Sequence, residues 1–316
     1  MPDTRRTDVV LLLVAIVWGS SYLAAKSATV ALPVLVVLFA RYAISALACL
    51  TLQTPRRASR RWSPAELRVG AILGVTQTAV LVLETYGVAH TSAANAGLII
   101  SLTIVLTPLL DRTGARGRLP LAFFGATGVC VLAVGLLMSG TGLHAPRTGD
   151  LLMLAAAVVR AGHVALVGRL TADHAVRPLP LTTVQTVVGA ALLLAPASTE
   201  LDVLAHASGT TWAQLVYLAL FCSVFAFLAQ TWAVQRTSAS RASLLLGTEP
   251  VWAVVAGIAL GGERLTVLAT LGAGLMVAGT YWGQAVERAH RTRTRTRTRT
   301  SSKENGTCRT PTPTSA

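Results

Sequence analysis

The stretch TSASRASLLLGTEPVWAVVAGIALGGERLT, residues 237–266, is apolar enough to cross a bilayer, yet it holds Glu249 and Pro250 near its middle. A glutamate is rarely buried without a partner, and a proline breaks a helix. Backbone carbonyls freed inside a membrane need other partners or a water-filled cavity. The stretch therefore predicts a bent helix whose Glu-Pro pair faces a polar interior.

An earlier segment repeats this stretch. TSAANAGLIISLTIVLTPLLDRTGARGRLP, residues 91–120, lies over residues 237–266 without gaps. The first copy has its proline, Pro108, one helical turn after the position that aligns with Pro250, so we expect both helices to bend. The identical pairs are Thr91/Thr237, Ser92/Ser238, Ala93/Ala239, Ala96/Ala242, Leu98/Leu244, Val105/Val251, Arg118/Arg264 and Leu119/Leu265.

Apolar runs of similar length recur along the chain. Of its 316 residues, 53% are hydrophobic and 13% are charged, whereas a soluble domain is about a quarter charged. A membrane-spanning helix needs about 20 apolar residues. The sequence predicts an all-α integral membrane protein with ten transmembrane helices, in the runs 9–29, 33–52, 68–89, 92–111, 119–139, 150–169, 179–198, 212–234, 239–260 and 265–285.

The ten predicted helices divide into two halves of five. Because five is odd, the second copy must cross the membrane in the opposite direction. We therefore expect a first repeat over residues 1–140 and an inverted second repeat over residues 149–285, followed by a disordered basic tail over 286–316. Inverted repeats are typical of secondary transporters, whose substrate sites lie near the midplane between the halves.

The basic residues predict the orientation. With the N-terminus in the cytoplasm, the alternating loops place most arginines on the cytoplasmic side and leave Lys26, Arg147 and Arg264 opposite, as the positive-inside rule requires. Both termini are then cytoplasmic in a multi-pass protein of the inner cell membrane. The tail RTRTRTRTRT, residues 291–300, is either a solvated end or an anchor to anionic lipids. It has no aromatic platforms, so we expect no nucleic-acid partner.

Several polar side chains fall deep within predicted helices, where ionisable groups are costly and usually functional. Glu249 either transfers a coupling proton or pairs with a substrate amine, or it is a permanent partner of Arg41 or Arg160. Arg160 and His163 share a helix face and either bind an anionic group or form structural contacts. The predicted substrate pathway contains Trp18, Arg41, Arg160, His163, Glu249 and Trp252.

Four further residues are candidates for a gate or for contacts behind the pathway. Lys26 and Glu84 lie near the outer ends of their helices and either pair as a gate or, for Lys26, extend to the interface. Asn95 and Gln230 either contact substrate or make hydrogen bonds between helices.

Enzymatic activity is not expected. The sequence holds no linked nucleophile and base, and its cysteines have no metal-ligand spacing. We therefore expect neither metal nor cofactor. A channel is disfavoured because no filter loop is present.

Motifs along most of the chain resemble the EamA-type branch of the drug/metabolite transporter superfamily. WGSSYLAAKSA (18–28), FARYAISAL (39–47) and TSAANAG (91–97) are similar to its first repeat, and residues 238–266 with LGAGLMVAG (271–279) resemble the end of its second. The resemblance implies ten helices in two inverted repeats. It also implies export or exchange of small metabolites or drugs across the cytoplasmic membrane, without naming a substrate. Arg160 departs from the aromatic or apolar residue usual at its position, which argues against a purely aromatic drug pocket.

The expected function is a secondary transporter that exports or exchanges amino-acid-like zwitterions or organic anions by alternating access. A hydrophobic-drug carrier is the alternative. Proton antiport through Glu249, exchange and facilitated diffusion all fit as the driving force. A homodimer through glycine-lined helix faces is a further option.

Overall fold

The computed structural model describes residues 2–53, 62–91, 96, 99–110, 120–139, 148–172, 176–261, 267–268, 270–272, 274–286 and 289–290. Within them the chain is helical and has no β-strand. The first half contains α1 (Pro2–Ala31), α2 (Val34–Gln53), α3 (Pro64–His90), α4 (Thr103–Leu110) and α5 (Leu121–Ser139).

The second half begins with α6 (Thr148–Ala172) and α7 (Pro178–Ala197), after which a 3₁₀ segment covers Ser198–His206. Helices α8 (Gly209–Ala219) and α9 (Ala226–Arg236) are joined by a π-helical turn over Leu220–Phe225. Helices α10 (Ala239–Leu246), α11 (Glu249–Gly261) and α12 (274–286) follow.

Six continuous helical segments have the length and hydropathy to cross a membrane. Large apolar side chains such as Val30, Leu47 and Leu121 are exposed on helix surfaces, as expected where lipid replaces water. The six segments are Arg5–Ala31, Val34–Gln53, Pro64–His90, Thr148–Ala172, Pro178–His206 and Gly209–Arg236. The other four predicted runs hold shorter helices within the described residues, so the ten-span count stays a prediction.

The repeated segments are interrupted at aligned positions. The turn at Gly247–Thr248 separates α10 from α11, and the turn at Ser101–Leu102 precedes α4. Each turn contains tight three-residue hydrogen bonds, from Thr248 N to Leu245 O (3.1 Å) in one copy and from Leu102 N to Ile99 O (3.1 Å) in the other. The interruption therefore belongs to the repeat and occurs whether or not a proline follows.

The two prolines sit differently from the predicted mid-helix bends. Pro250 is the second residue of α11, where its missing N–H has no helical partner to lose. Pro108 lies inside α4, after the turn. The two interrupted helices meet where Gly247 faces Ile104, since a methyl group added at Gly247 would lie 2.2 Å from the Ile104 side chain.

Close helix packing brings the two halves together. Helix α3 packs along α6 and α7, α2 packs along α7, and α1 packs along α11. Gly19 permits the last contact, because an added methyl group would lie 2.6 Å from the Glu249 carbonyl oxygen and 2.8 Å from the Ala253 nitrogen. This approach places the start of α11 against the middle of α1.

The starts of α3 and α7 are joined by an ion pair. Ser63 caps α3 in a capping box with Glu66, a device that satisfies two free backbone N–H groups. The Glu66 carboxylate also accepts from Arg177 Nε (2.7 Å) and Nη2 (2.9 Å). This contact raises the pKa of the Arg177 guanidinium, which lies between the helices.

Candidate functional site

A cavity of about 40 Å³ lies at the centre of the bundle. Helices α1, α2 and α3 line it from the first half, and α6, α9 and α11 line it from the second. This volume holds a few water molecules, because one water needs roughly 10–15 Å³. The structure places these predicted residues on its wall: Trp18, Arg41, Glu84, Arg160, His163, Gln230 and Glu249.

Arg160 lies between two carboxylates from different halves. Its Nη1 donates to Glu84 Oε1 (2.9 Å) and its Nη2 donates to Glu249 Oε2 (2.8 Å). All three side chains are largely buried, where charge-assisted hydrogen bonds are strong and an unpaired charge is costly. The sequence left Glu249 open between a free carboxylate and a partner of arginine, and the structure pairs it with Arg160.

Helix α1 supplies two aromatic side chains around this cluster. The Trp18 ring lies under the Arg160 guanidinium, 4.5 Å from centroid to Cζ, a cation–π contact of about 0.5–2 kcal/mol. The Tyr22 hydroxyl donates to Glu249 Oε1 (2.7 Å). Both carboxylate oxygens of Glu249 therefore have hydrogen-bond donors. Trp18 connects α1 to α6, and Tyr22 connects α1 to α11.

Arg41 lies on α2 and binds the π-helical turn. Its Nε donates to Ser223 Oγ (2.7 Å) and its Nη2 donates to the Cys222 carbonyl (3.1 Å). The same carbonyl accepts from Trp18 Nε1 (2.9 Å). A π-helical turn displaces backbone groups from the usual helical pattern and is frequent at functional sites. Here it presents acceptors to two helices of the other half.

The remaining cavity residues have neutral contacts. His163 Nδ1 lies 2.8 Å from Thr76 Oγ1 of α3, and His163 is buried on the same face of α6 as Arg160. Gln230 of α9 is also buried. Together with Gln77 of α3, these groups give the cavity polar neutral walls beside its charged cluster.

Two of the other predicted residues, Lys26 and Trp252, are described by the structure and lie away from the cavity wall. Lys26 is exposed on α1, and Glu84, its expected gate partner, binds Arg160 instead. Trp252 of α11 packs beside Gly19, where an added methyl group would lie 2.7 Å from the Trp252 Cβ. Asn95 lies outside the described residues, as does the tail from residue 291.

Three residues of the site, Tyr22, Cys222 and Ser223, are not among those predicted from the sequence. Tyr22 lies four positions after Trp18, and this helical spacing places both on one face of α1, which could have identified it. Cys222 and Ser223 bind Arg41 through the π-helical turn. Nothing in the sequence marks that turn, because it depends on how α8 and α9 pack.

The arrangement is suited to binding a charged solute. Ionisable side chains at the middle of apolar helices are typical of substrate and ion pathways. Among the residues that the structure describes, no group of three histidine, cysteine, aspartate or glutamate side chains could hold a metal ion. The fold and the cavity together define the class: a polytopic helical membrane protein with a charged internal chamber.

Comparison with known proteins gives the family. The model of the EamA-like transporter family matches twice, at residues 5–139 and 147–282. The chain belongs to this family and is a membrane transporter, which confirms the resemblance stated from the sequence motifs. The two matches cover most of the chain and correspond to its two halves.

The chain is similar to several curated proteins. Two uncharacterized transporters of Archaeoglobus fulgidus are 25% identical over 270 residues and 24% identical over 274 residues. They cover 85% and 86% of this chain and 83% and 96% of their own lengths. The uncharacterized transporter YyaM of Bacillus subtilis is 26% identical over 209 residues, which are 64% of this chain and 68% of YyaM.

A solved structure has the same fold. One crystal structure superposes with a TM-score of 0.72 at 18% identity and covers 88% of this chain and 98% of the other. At this identity the likeness shows the architecture alone.

Proposed function

We propose that this protein is a secondary carrier that exports or exchanges small charged metabolites across the cytoplasmic membrane by alternating access. The substrates are amino-acid-like zwitterions or organic anions. The central cavity is the main support, because it joins Arg41 and Glu84 of the first half to Arg160 and Glu249 of the second. Relative movement of the halves would therefore change the substrate site directly.

The proposal divides the carrier into inverted repeats at residues 1–140 and 149–285, with ten spans and both termini in the cytoplasm. The packing pattern supports this division. Exchange of α1 with α6, α2 with α7 and α3 with α8–α9 turns the observed α3–α6 contact into the observed contact of α8–α9 with α1. If α4 is likewise exchanged with α11, the observed α4–α6 packing becomes the observed α11–α1 packing. The aligned turns at 101–102 and 247–248 follow the same rule.

The size of the cavity supports alternating access. A space of about 40 Å³ holds water but not a metabolite. A substrate therefore requires the helices around the site to separate. Transporters of inverted-repeat architecture achieve this by rocking one half against the other around a central site.

A hydrophobic-drug carrier is the second candidate. Trp18, Tyr22 and Phe227 give the cavity aromatic surface, which would suit a flat apolar ring. Four ionisable side chains on the same wall oppose it, because burying an apolar solute against them would remove their hydration without replacing it. Charged metabolites are the better match.

The test compares metabolites in the medium of cells that express the protein with those of cells that express its Glu249→Gln variant. Wild-type cells should accumulate small charged metabolites in the medium, and the variant cells should not. Matching medium profiles in the presence of equal membrane expression would contradict the proposal. Selective resistance to hydrophobic dyes such as ethidium, with no metabolite efflux, would support the drug carrier instead.

A further inference from the structure

The two arginines of the cavity differ in what they bind. Arg160 is held by two carboxylates. Arg41 is equally buried, at 7% exposure, but the partners in contact with it are the Ser223 hydroxyl and the Cys222 carbonyl. No carboxylate lies within 4 Å of Arg41 in the part of the chain that the structure describes. Its guanidinium is therefore held by neutral acceptors and has no carboxylate in direct contact.

The π-helical turn fixes the orientation of the Arg41 guanidinium. The π-helical turn Leu220–Phe225 supplies both acceptors, and Ser223 Oγ in turn lies 3.2 Å from the Leu218 carbonyl. Trp18 shares the Cys222 carbonyl with Arg41. A buried guanidinium without an ionic partner is costly inside a membrane and usually functional. Structural stability alone would favour a carboxylate at this contact.

An excess of carboxylates lies elsewhere on the cavity wall. Glu84 and Glu249 share the single guanidinium of Arg160, so this cluster has two carboxylates for one guanidinium. Tyr22 adds a hydrogen bond to Glu249 and no charge. The cavity wall as a whole has two guanidinium groups and two carboxylates, but both carboxylates contact Arg160 and neither contacts Arg41.

We infer that the substrate is a zwitterion whose anionic group pairs with Arg41 and whose ammonium group lies against the Glu84–Glu249 cluster. This inference rests on the proposed function and selects the zwitterion from its two substrate classes. A lone anion would leave the glutamate cluster uncompensated, and a lone cation would leave Arg41 uncompensated. Arg41 then binds the anionic group, whereas an anion site at Arg160 and His163 was one of two readings of the sequence.

Matched probes test the charge requirement on the wild-type protein. Purified protein in detergent is melted with a mixture of the twenty protein amino acids, with their N-acetyl derivatives, and with their amides. The first set has both charges, the second lacks the ammonium and the third lacks the carboxylate. We expect the amino acids to raise the melting temperature and both derivative sets to have a smaller effect. Equal stabilisation by the derivatives, or none by the amino acids, would overturn the inference.

Variants assign the anionic end. In proteoliposomes loaded with ¹⁴C-labelled amino acids, Arg41→Gln should lower the release rate about tenfold or more, because a charge-assisted contact is lost. Arg41→Lys should retain part of the rate. The control is Arg236→Gln, which removes an exposed arginine that stacks on Trp232, and it should transport at the wild-type rate. Unchanged release by a folded Arg41→Gln protein would overturn the assignment.

Two further probes separate this inference from the proposed function. Proteoliposomes are also loaded with a mixture of citrate, malate and succinate, or with ethidium. Release of the dicarboxylic and tricarboxylic acids without amino acids would reject the zwitterion but keep the carrier of charged metabolites. Release of ethidium alone would reject both in favour of a drug carrier. Absence of release of every probe, with folded protein in the bilayer, would count against both.

Discussion

Arg241 of α10 and Asp8 of α1 form a bidentate ion pair at one end of the bundle. The Arg241 Nη2 atom lies 2.8 Å from Asp8 Oδ1 and 2.7 Å from Oδ2, and Nε lies 3.0 Å from Oδ1. The aspartate that corresponds to Asp8 in the other half, Asp150, accepts instead from the Thr91 hydroxyl.

Asp8→Ala should destabilise the protein by about 3 kcal/mol, because it leaves a buried guanidinium without its carboxylate. The loss lies in the lower part of the usual range because the Asp8 side chain is 19% exposed. Thermal or denaturant unfolding in detergent measures the loss. Asp202→Ala, at an exposed carboxylate in the 3₁₀ segment, is the control and should change stability little. Equal melting of wild type and Asp8→Ala would show that the pair contributes nothing.

Gly19→Ala should separate α1 from α11. The added methyl group would lie within 2.8 Å of three atoms of Glu249, Trp252 and Ala253, two of them backbone atoms, and overpacking of this kind costs about 1–3 kcal/mol. The shift should also disturb the Tyr22–Glu249 hydrogen bond and lower transport. Unfolding in detergent and flux in proteoliposomes measure the two effects.

The control for this substitution is Gly162→Ala in α6, where an added methyl group meets no atom within 4 Å. Alanine there should stabilise the helix by up to about 1 kcal/mol, because glycine is the poorer helix former. A Gly19→Ala protein as stable as Gly162→Ala would refute the close approach of α1 and α11.

Hydropathy alone located the long helices well, since the predicted run 33–52 matches α2. The predicted run 239–260, which we expected to bend near Glu249, is instead divided into α10 and α11 at Gly247–Thr248. The proline explains this interruption only in part, since the aligned turn at Ser101–Leu102 has no proline immediately after it. The two repeats share this backbone turn although the residues that follow it differ, so the proline alone does not predict it.

Pairing between helices could not be predicted. Lys26 and Glu84 lie at similar predicted depths, yet Lys26 is exposed and Glu84 binds Arg160. Periodicity gives the existence of a helix and its apolar face but not the neighbour that each face meets. For the same reason the sequence ranked Arg160 above Arg41 as an anion site, because the partners of both arginines come from distant helices.

Glu66 and Arg177 should show coupled stability effects. Glu66 closes the cap of α3 and also binds Arg177, so Glu66→Ala should cost more than Arg177→Ala. The ion pair itself should contribute about 1 kcal/mol, because the Arg177 side chain is 34% exposed and screened by solvent. A double-mutant cycle in detergent unfolding measures this coupling. Ser63→Ala, which removes the cap alone, should cost about 1 kcal/mol; strictly additive losses for Glu66 and Arg177 would rule out the coupling.

Glu249→Gln should leave membrane insertion intact while transport falls about a hundredfold, equivalent to ~3 kcal/mol. Glu249 Oε1 accepts from Tyr22 and Oε2 accepts from Arg160. Glutamine has only one oxygen, so its amide nitrogen must face one of these donors. Tyr22→Phe is the matched variant, because it keeps the ion pair and removes one hydrogen bond, and it should lower transport about fivefold. Flux in proteoliposomes with equal protein content measures both, and wild-type flux in Glu249→Gln would show that the carboxylate is dispensable.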